Sequence, residues 1–247
     1  MSTSDRSVLP KFEAADAEVA SYRALSSLAV VGLLVGLLSW LALFDTMFWL
    51  APLAAVVISA VALRRIKIRT PELVGRSAAL IGLMLGVTFL VAAPVDDLVY
   101  QYFLRQQARQ FAEIWIDSVR HREVYKAHHV MLDPKRRRPV ETKFAEFYRA
   151  SDNSRRLLMD FLDEPVVRTL FALGPAATIR YYETTAQGYT DSSDAVRQTY
   201  AVTYPDEQHK PKTFFISLLM QRTIDATSGR ASWTLMDVKG GIRPPGW

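Results

Sequence analysis

LSSLAVVGLLVGLLSWLALF, residues 25–44, runs for twenty residues without a charged side chain. At about 1.5 Å per residue, a helix of that length reaches across the roughly 30 Å hydrocarbon core of a bilayer. Two further apolar runs follow: 47–63, with Pro52 near its start, and 77–95, which ends in Pro94 just ahead of Asp96 and Asp97. Run length therefore predicts three transmembrane helices over 25–44, 47–63 and 77–95. Together they make a membrane domain over 25–95, preceded by a short tail over 1–24. Asp45 separates the first two runs and is surrounded by Trp40, Phe44, Phe48 and Trp49. A carboxylate in mid-bilayer costs roughly 2.5 to 3.5 kcal/mol, so Asp45 is expected in a tight turn at headgroup level, inside an aromatic belt.

Each apolar run carries small residues four apart: Gly32 and Gly36, then Ala55 and Ser59, then Gly82 and Gly86. Lipid is as apolar as leucine, so helices associate in it by close backbone approach, which small side chains permit. These faces could pack the three helices on one another or form the seam of a homo-oligomer. Basic residues set the orientation. Arg64, Arg65, Lys67, Arg69 and Arg76 lie between the second and third runs, and the Asp45 turn has none. By the positive-inside rule that loop is cytoplasmic, as is the tail with Arg6, Lys11 and Arg23. Three crossings then put 96–247 outside, in an extracytoplasmic or periplasmic position on an inner membrane. The lipid bilayer is thus the first expected partner.

Composition limits the rest. Half of the 247 residues are hydrophobic, enough for a membrane segment and one further domain over 96–247. The chain's formal charge is +5, but 96–247 hold 22 Lys and Arg against 19 Asp and Glu, so a general nucleic-acid-binding surface is not indicated. Cysteine is absent, which removes disulfides, a thiol nucleophile and any Cys-based zinc site. A cleavable signal peptide does not fit, because the first apolar core follows a mixed-charge tail, is long, and has two more runs behind it.

The membrane block as a whole resembles a small bacterial membrane domain of unknown function. The likeness rests on the glycine-rich first run, Ala62, Leu63, Arg64 and Ile66 at the exit of the second, Gly75 and Arg76 at the entry to the third, and Ala78, Ala79, Gly82 and Gly86 within it. It implies an anchor and brings no chemistry.

After Pro94, Asp96 or Asp97 can cap a new helix by accepting from free N–H groups. From Leu104 the apolar positions Ala108, Phe111, Trp115 and Val119 recur at three and four, and Arg105, Arg109, Glu113 and Arg120 fall mostly on other faces, which predicts an amphipathic helix. Shorter helical patterns cover 123–132, 144–149, 154–162 and 165–173, the last stopping at Gly174 and Pro175. The period then changes from 3.6 to 2. Residues 178–186, 196–204, 214–223 and 232–239 read as strands rich in Tyr, Phe, Val, Ile and Thr, joined by short polar turns that favour an antiparallel meander. Val196, Gln198, Tyr200, Val202 and Tyr204 share one face, as do Phe214, Ile216, Leu218 and Met220 on the next strand. The expected fold class is a membrane protein with three transmembrane helices and an α+β soluble domain, its helices packed on a curved four-stranded antiparallel sheet. That element order is similar to the cone-shaped folds related to nuclear transport factor two and ketosteroid isomerase. The resemblance implies a concave space between helix and sheet, which in such folds binds a small molecule, catalyses, or is filled with side chains.

The residues able to carry chemistry are few. His128 and His129 can transfer protons or bind metal, but adjacent helical residues point about 100° apart and no second histidine lies four away, so no metal site and no cofactor are expected. Isomerase-type catalysis needs a carboxylate base and an acidic donor in an apolar pocket. Strand tyrosines such as Tyr182 and Tyr200 supply candidate lining beside His128 and His129, but no spacing identifies a catalytic residue. Phosphate loops and nucleophile elbows are missing from the sequence. Lys135, Arg136, Arg137 and Arg138 form a basic loop, read as a solvated tip that could also attract anionic lipid. The terminal GGIRPPGW can be neither helix nor central strand and is read as a cap over the open end of the sheet, with a docking peptide as the other reading. The function expected on these grounds is a non-catalytic anchored protein whose extracytoplasmic cone-like domain binds a partner or supports a membrane protein assembly, the partner being another protein or a second copy of the chain. The alternative is a pocket for a small apolar ligand, bound or isomerised at the membrane surface.

Overall fold

The computed structural model describes residues 24–68, 73–137, 144–190 and 193–241. The 1–23 tail, Arg138 and Pro139 of the basic loop, and most of the terminal GGIRPPGW lie outside the described residues. The chain divides into two compact units at Tyr100 and Gln101.

The first unit opens with strand β1 (Ala24–Leu25) and helix α1 (Ser27–Leu38), which tightens into a 3-10 helix over Ser39–Leu43. A second 3-10 turn (Thr46–Trp49) leads into α2 (Leu50–Ile68), and β2 (Leu73–Val74) precedes α3 (Arg76–Arg120). Asp45 does make the turn: its Oδ1 accepts from the Met47 N–H at 2.8 Å, satisfying one of the free donors at a helix start. β1 and β2 pair in parallel, a short clasp that the sequence pattern did not reveal.

Two helices of this unit, Thr46–Ile68 and Arg76–Arg120, are long and apolar enough to cross a membrane, while the apolar helix Ser27–Leu43 is shorter. Their packing inverts that of a water-soluble bundle. The buried positions are mostly small, among them Ala29, Ser39, Ala55, Ser59, Ala62 and Ala79, whereas Leu34, Phe44, Leu50, Val57, Met84 and Val91 face outward. At the seam a β-carbon on Gly82 would lie 2.6 Å from the Gly32 carbonyl oxygen, and one on Gly36 would lie 2.9 Å from that of Gly82. Gly32 meets Ser59, and Gly86 meets Ala55. All six small residues singled out in the sequence thus face one another within one chain.

Helix α3 departs from expectation. Pro94 does not end it, and Asp96 and Asp97 lie inside one continuous helix of 45 residues. Proline removes a single N–H and leaves one carbonyl, that of Leu90, without its helical partner. That local loss is outweighed where the helix continues into a well-packed amphipathic stretch.

In the second unit the later turns of α3 are joined by α4 (Val124–His129), α5 (Phe144–Ala150), α6 (Asp152–Asp163) and α7 (Pro165–Leu173). Ser151 caps α6 by accepting from the Ser154 N–H. Four strands follow, β3 (Thr178–Thr190), β4 (Ser193–Pro205), β5 (Pro211–Ile224) and β6 (Ala231–Gly240), paired antiparallel in chain order as an open meander. Leu104, Ala108, Trp115 and Val119 of α3 share one core with Val196, Tyr200, Val202, Ile216, Leu218 and Met220 of the sheet. Register shifts between Tyr181 and Glu183, between Thr184 and Ala186, and between Leu219 and Met220 bend the outer strands.

Because the seam around Gly82 is closed by backbone atoms, Gly82→Val should destabilise the first unit by about 1–3 kcal/mol through overpacking. Met84→Ala, two residues away on the outward face, should change it little. Thermal unfolding of the full-length protein in detergent distinguishes the two.

Candidate functional site

The four pocket candidates do not meet at one place. His128 ends in a tight aromatic cluster: its Nδ1 shares a 2.6 Å hydrogen bond with the Tyr148 hydroxyl, and its ring lies against those of Tyr148 and Phe161. Burial, with the neighbouring His129 as a second cause, pushes the His128 pKa down to about 4, and burial raises Tyr148 to about 12. The imidazole is therefore neutral at physiological pH. His129 points elsewhere and packs on Phe144, with ring centroids 4.7 Å apart.

Tyr182 is not a lining residue. It is exposed and meets Phe215 edge to face at 5.1 Å, whereas its neighbour Tyr181 contacts Tyr200 on the inner face. Successive strand residues point to opposite sides, so only one of two adjacent tyrosines can face inward. Tyr200 is buried, and its hydroxyl donates to Gln198 Oε1 at 2.8 Å. Gln198 Nε2 in turn donates to the Arg105 carbonyl at 3.1 Å and to Thr184 Oγ1 at 3.4 Å, and Thr184 Oγ1 lies 3.0 Å from the Tyr181 hydroxyl. Burial above all, then the Glu113 charge, raises the Tyr200 pKa above its ordinary value. This hydroxyl is a protonated structural donor rather than an acid waiting for a substrate.

The basic loop also differs from a uniformly solvated tip. Lys135 and Arg136 lie in a short 3-10 turn capped by Asp133, which accepts from the Lys135 N–H. Arg137 folds inward. Its guanidinium donates to the carbonyls of Val130 (2.8 Å), Leu132 (3.0 Å) and Trp233 (2.6 Å), and to Thr234 Oγ1 (3.2 Å). The chain leaves helical geometry after α4, so the Val130 and Leu132 carbonyls lack helical partners, and a planar fork of five donors can serve them together with β6. Burial lowers the Arg137 pKa, with Asp133 opposing the shift.

Hollows open on the second unit, one of about 620 Å³ beside Lys135 and Asp225 among them, and two more carry the pocket candidates His128 and Tyr200 in their walls. His128 lies on the wall of one, of about 260 Å³, with Asp160, Glu164 and Asp237. The other, of about 600 Å³, lies between α3 and β3 and includes Tyr200 in its wall. Its helix side is built from Arg109, Glu113, Asp117 and Arg120, spaced four, four and three apart and so on one face. Its strand side brings Arg180 and Tyr181. Arg109 pairs with Glu113 at 3.2 Å and lies 5.1 Å over the Tyr181 ring, and Asp117 Oδ1 is 3.2 Å from His121 Nδ1. The sequence pattern had Arg109, Glu113 and Arg120 only as the polar side of an amphipathic helix. Their spacing gave the shared face, and Arg180 could join them only through the tertiary fold. Among the described residues no group of three or more His, Asp or Glu is placed to hold a metal ion. Comparison with protein-family models and with curated proteins finds no match to the chain.

Two outcomes follow from these bonds. Because the folded pKa of His128 is depressed, the unfolded chain takes up its proton first. The contribution of the neutral ring is complete above pH 6.5 and is lost as the pH falls towards 4. His128→Gln should remove about 2 kcal/mol of this acid sensitivity, allowing for solvent screening, as read from unfolding of the full-length protein at pH 7 and pH 4.5. Arg137→Gln should cost about 2–3 kcal/mol at any pH between 5 and 9 by taking its donors from the part-buried carbonyls of Leu132 and Trp233, and Arg137→Lys should recover only part of it.

Proposed function

We propose that the chain is a membrane-anchored, non-catalytic protein whose 96–247 domain is extracytoplasmic and binds a protein partner or supports a membrane assembly. The observation that carries this reading is the filled inner face of the sheet. Val196, Gln198, Tyr200, Val202, Ile216, Leu218, Met220 and Leu235 are all essentially inaccessible there, and the polar atoms of Gln198 and Tyr200 are bonded to each other. An isomerase-type site would instead keep a carboxylate and an acidic donor converging in an apolar cavity.

Three crossings are part of the proposal. Twelve α-helical and five 3-10 residues make Ser27–Leu43 about 28 Å long, which approaches the thickness of a hydrocarbon core. The outward-facing leucines, valines and aromatics of the first unit also form far more apolar surface than a water-soluble domain exposes. The basic residues Arg64, Arg65 and Lys67 at the end of α2 then orient that end to the cytoplasm, with the N-terminus on the same side. The likeness to cone-shaped folds belongs to this reading as well, with the interior used for packing. The alternative, a small-ligand pocket, draws on the 600 Å³ cleft, but its charged lining does not suit an apolar molecule.

Topology and function separate experimentally. A single cysteine at exposed Ser228 in the otherwise cysteine-free chain should react with a membrane-impermeant maleimide on intact cells whose outer barrier, if present, is permeabilised; labelling only after lysis would overturn the orientation. Purification of the full-length protein in mild detergent should bring a stoichiometric protein partner. A bound small molecule with no protein would favour the pocket instead.

A further inference from the structure

The end of β6 lies beside the smaller hollow of the second unit. Leu157, Asp160 and Phe161, at spacings of three and one on a common face of α6, form its helix side, with Glu164 at the exit of that helix and Met131 and Met236 completing the wall. Leu157 and Met236 are 40% and 53% exposed, large apolar side chains open to solvent. At about 260 Å³ the hollow is below the roughly 300–1,000 Å³ of small-molecule sites and has room for one large side chain. The chain itself arrives there. Val238 lines the hollow, and a β-carbon on Gly240 would lie 2.5 Å from Val166 Cγ2, so the last residues of β6 rest on the first turn of α7. Gly241 then takes φ 67°, a left-handed value that turns the backbone out of strand geometry. Residues 242–247 follow with the sequence IRPPGW. Six extended residues reach about 20 Å, ample for a hollow whose wall includes a residue three before Gly241. The chemistry matches as well. Arg243 is the only charged side chain of the segment, and the carboxylates of Asp160 and Glu164 have neither hydrogen-bond nor ion-pair partners among the described residues, whereas Asp237 is paired with Lys239 at 3.3 Å.

We propose that this hollow seats the chain's own segment 242–247, with Trp247 against Met131, Leu157 and Met236 and the Arg243 guanidinium paired with Asp160 and Glu164. A planar fork of donors suits two carboxylates held four residues apart, and methionine sulfur packs well against an aromatic ring. Proline fixes φ near −65°, so a segment holding Pro244 and Pro245 loses little freedom on docking. The segment is also tethered, at an effective concentration on the order of millimolar, so modest contacts hold it. The same segment of a second copy, or a foreign peptide, has to bind without that tether. The seat stands apart from the partner-binding reading, because it concerns a surface that the chain covers by itself.

The test uses the full-length protein in nanodiscs, where a chain without native cysteine leaves only introduced thiols to react. Leu157→Cys combined with Pro245→Cys should close a disulfide within one chain under mild oxidation, seen by non-reducing electrophoresis and mapped by mass spectrometry of the digest. Met159→Cys, exposed on the opposite side of α6, should give at least fivefold less with the same partner. Adding Arg243→Glu to the first pair should lower its yield at least fivefold, and Arg243→Lys should keep most of it. A second readout needs no disulfide. Leu157→Cys alone should react with a maleimide at least threefold faster once Trp247→Ala is added, and Met159→Cys should not change. Equal disulfide yields from positions 157 and 159, no disulfide from 157, a yield indifferent to Arg243→Glu, or a maleimide rate indifferent to Trp247→Ala would each overturn the proposal. A disulfide that joins two chains instead of closing within one overturns it too, and gives the hollow to a second copy's segment.

Discussion

Helical continuity of α3 past Pro94 is the constraint on which the rest depends, because that one helix contributes to both units. Its first turns offer Ala79, Gly82 and Gly86 to α1 and α2, where contact is made almost backbone to backbone. Its last turns offer Leu104, Ala108, Trp115 and Val119 to a sheet, where contact is made by bulky side chains filling space. The carbonyl stranded by proline is a small loss against the many backbone bonds on either side of it.

Within the second unit, burial decides what the polar residues can do. His128, Tyr148, Tyr200, Gln198 and Arg137 are the groups that a chemist would pick first, and each is already bonded inside the fold. A buried donor or acceptor left unpaired costs more than a made bond gains, so the fold uses such residues in closed pairs and chains. The shift of His128 to about 4 follows from the same burial, and it turns a residue suited to proton transfer into a neutral packing element. The Arg120 Nε, in the wall of the cleft beside α3, is one exception, buried without a partner.

Much of this was legible in the sequence where a repeat carried the signal. The spacing of Gly32, Gly36, Gly82 and Gly86 marked the helix faces that meet, and the alternation through Val196, Gln198, Tyr200 and Val202 marked the inner face of β4. Period-two reasoning also held the correction for Tyr182, since Tyr181 and Tyr182 cannot share a face. Signals that depend on tertiary context were lost. Pro94 reads as a helix stop because local propensity is blind to the packing on both sides of it. Arg137 reads as one of four equal loop cations because its acceptors include Trp233 and Thr234, almost a hundred residues away along the chain. The cleft could not be read at all, for its helix wall and its strand wall meet only by the packing of α3 on the sheet.

Charge counting sharpens the same point. The 96–247 region carries only a small net positive charge, which argues against a broad electrostatic surface. Net charge, however, averages over groups that are spent and groups that are not. Arg109 is neutralised by Glu113, Arg168 by Asp163, and Arg222 by Asp194 in a mostly buried pair, so these cations contribute little to what an approaching molecule meets. Arg137 is turned inward altogether. What an approaching molecule meets is the remainder, and a cation beside a hollow counts for more than several paired on open surface, because partial desolvation strengthens whatever pairs with it.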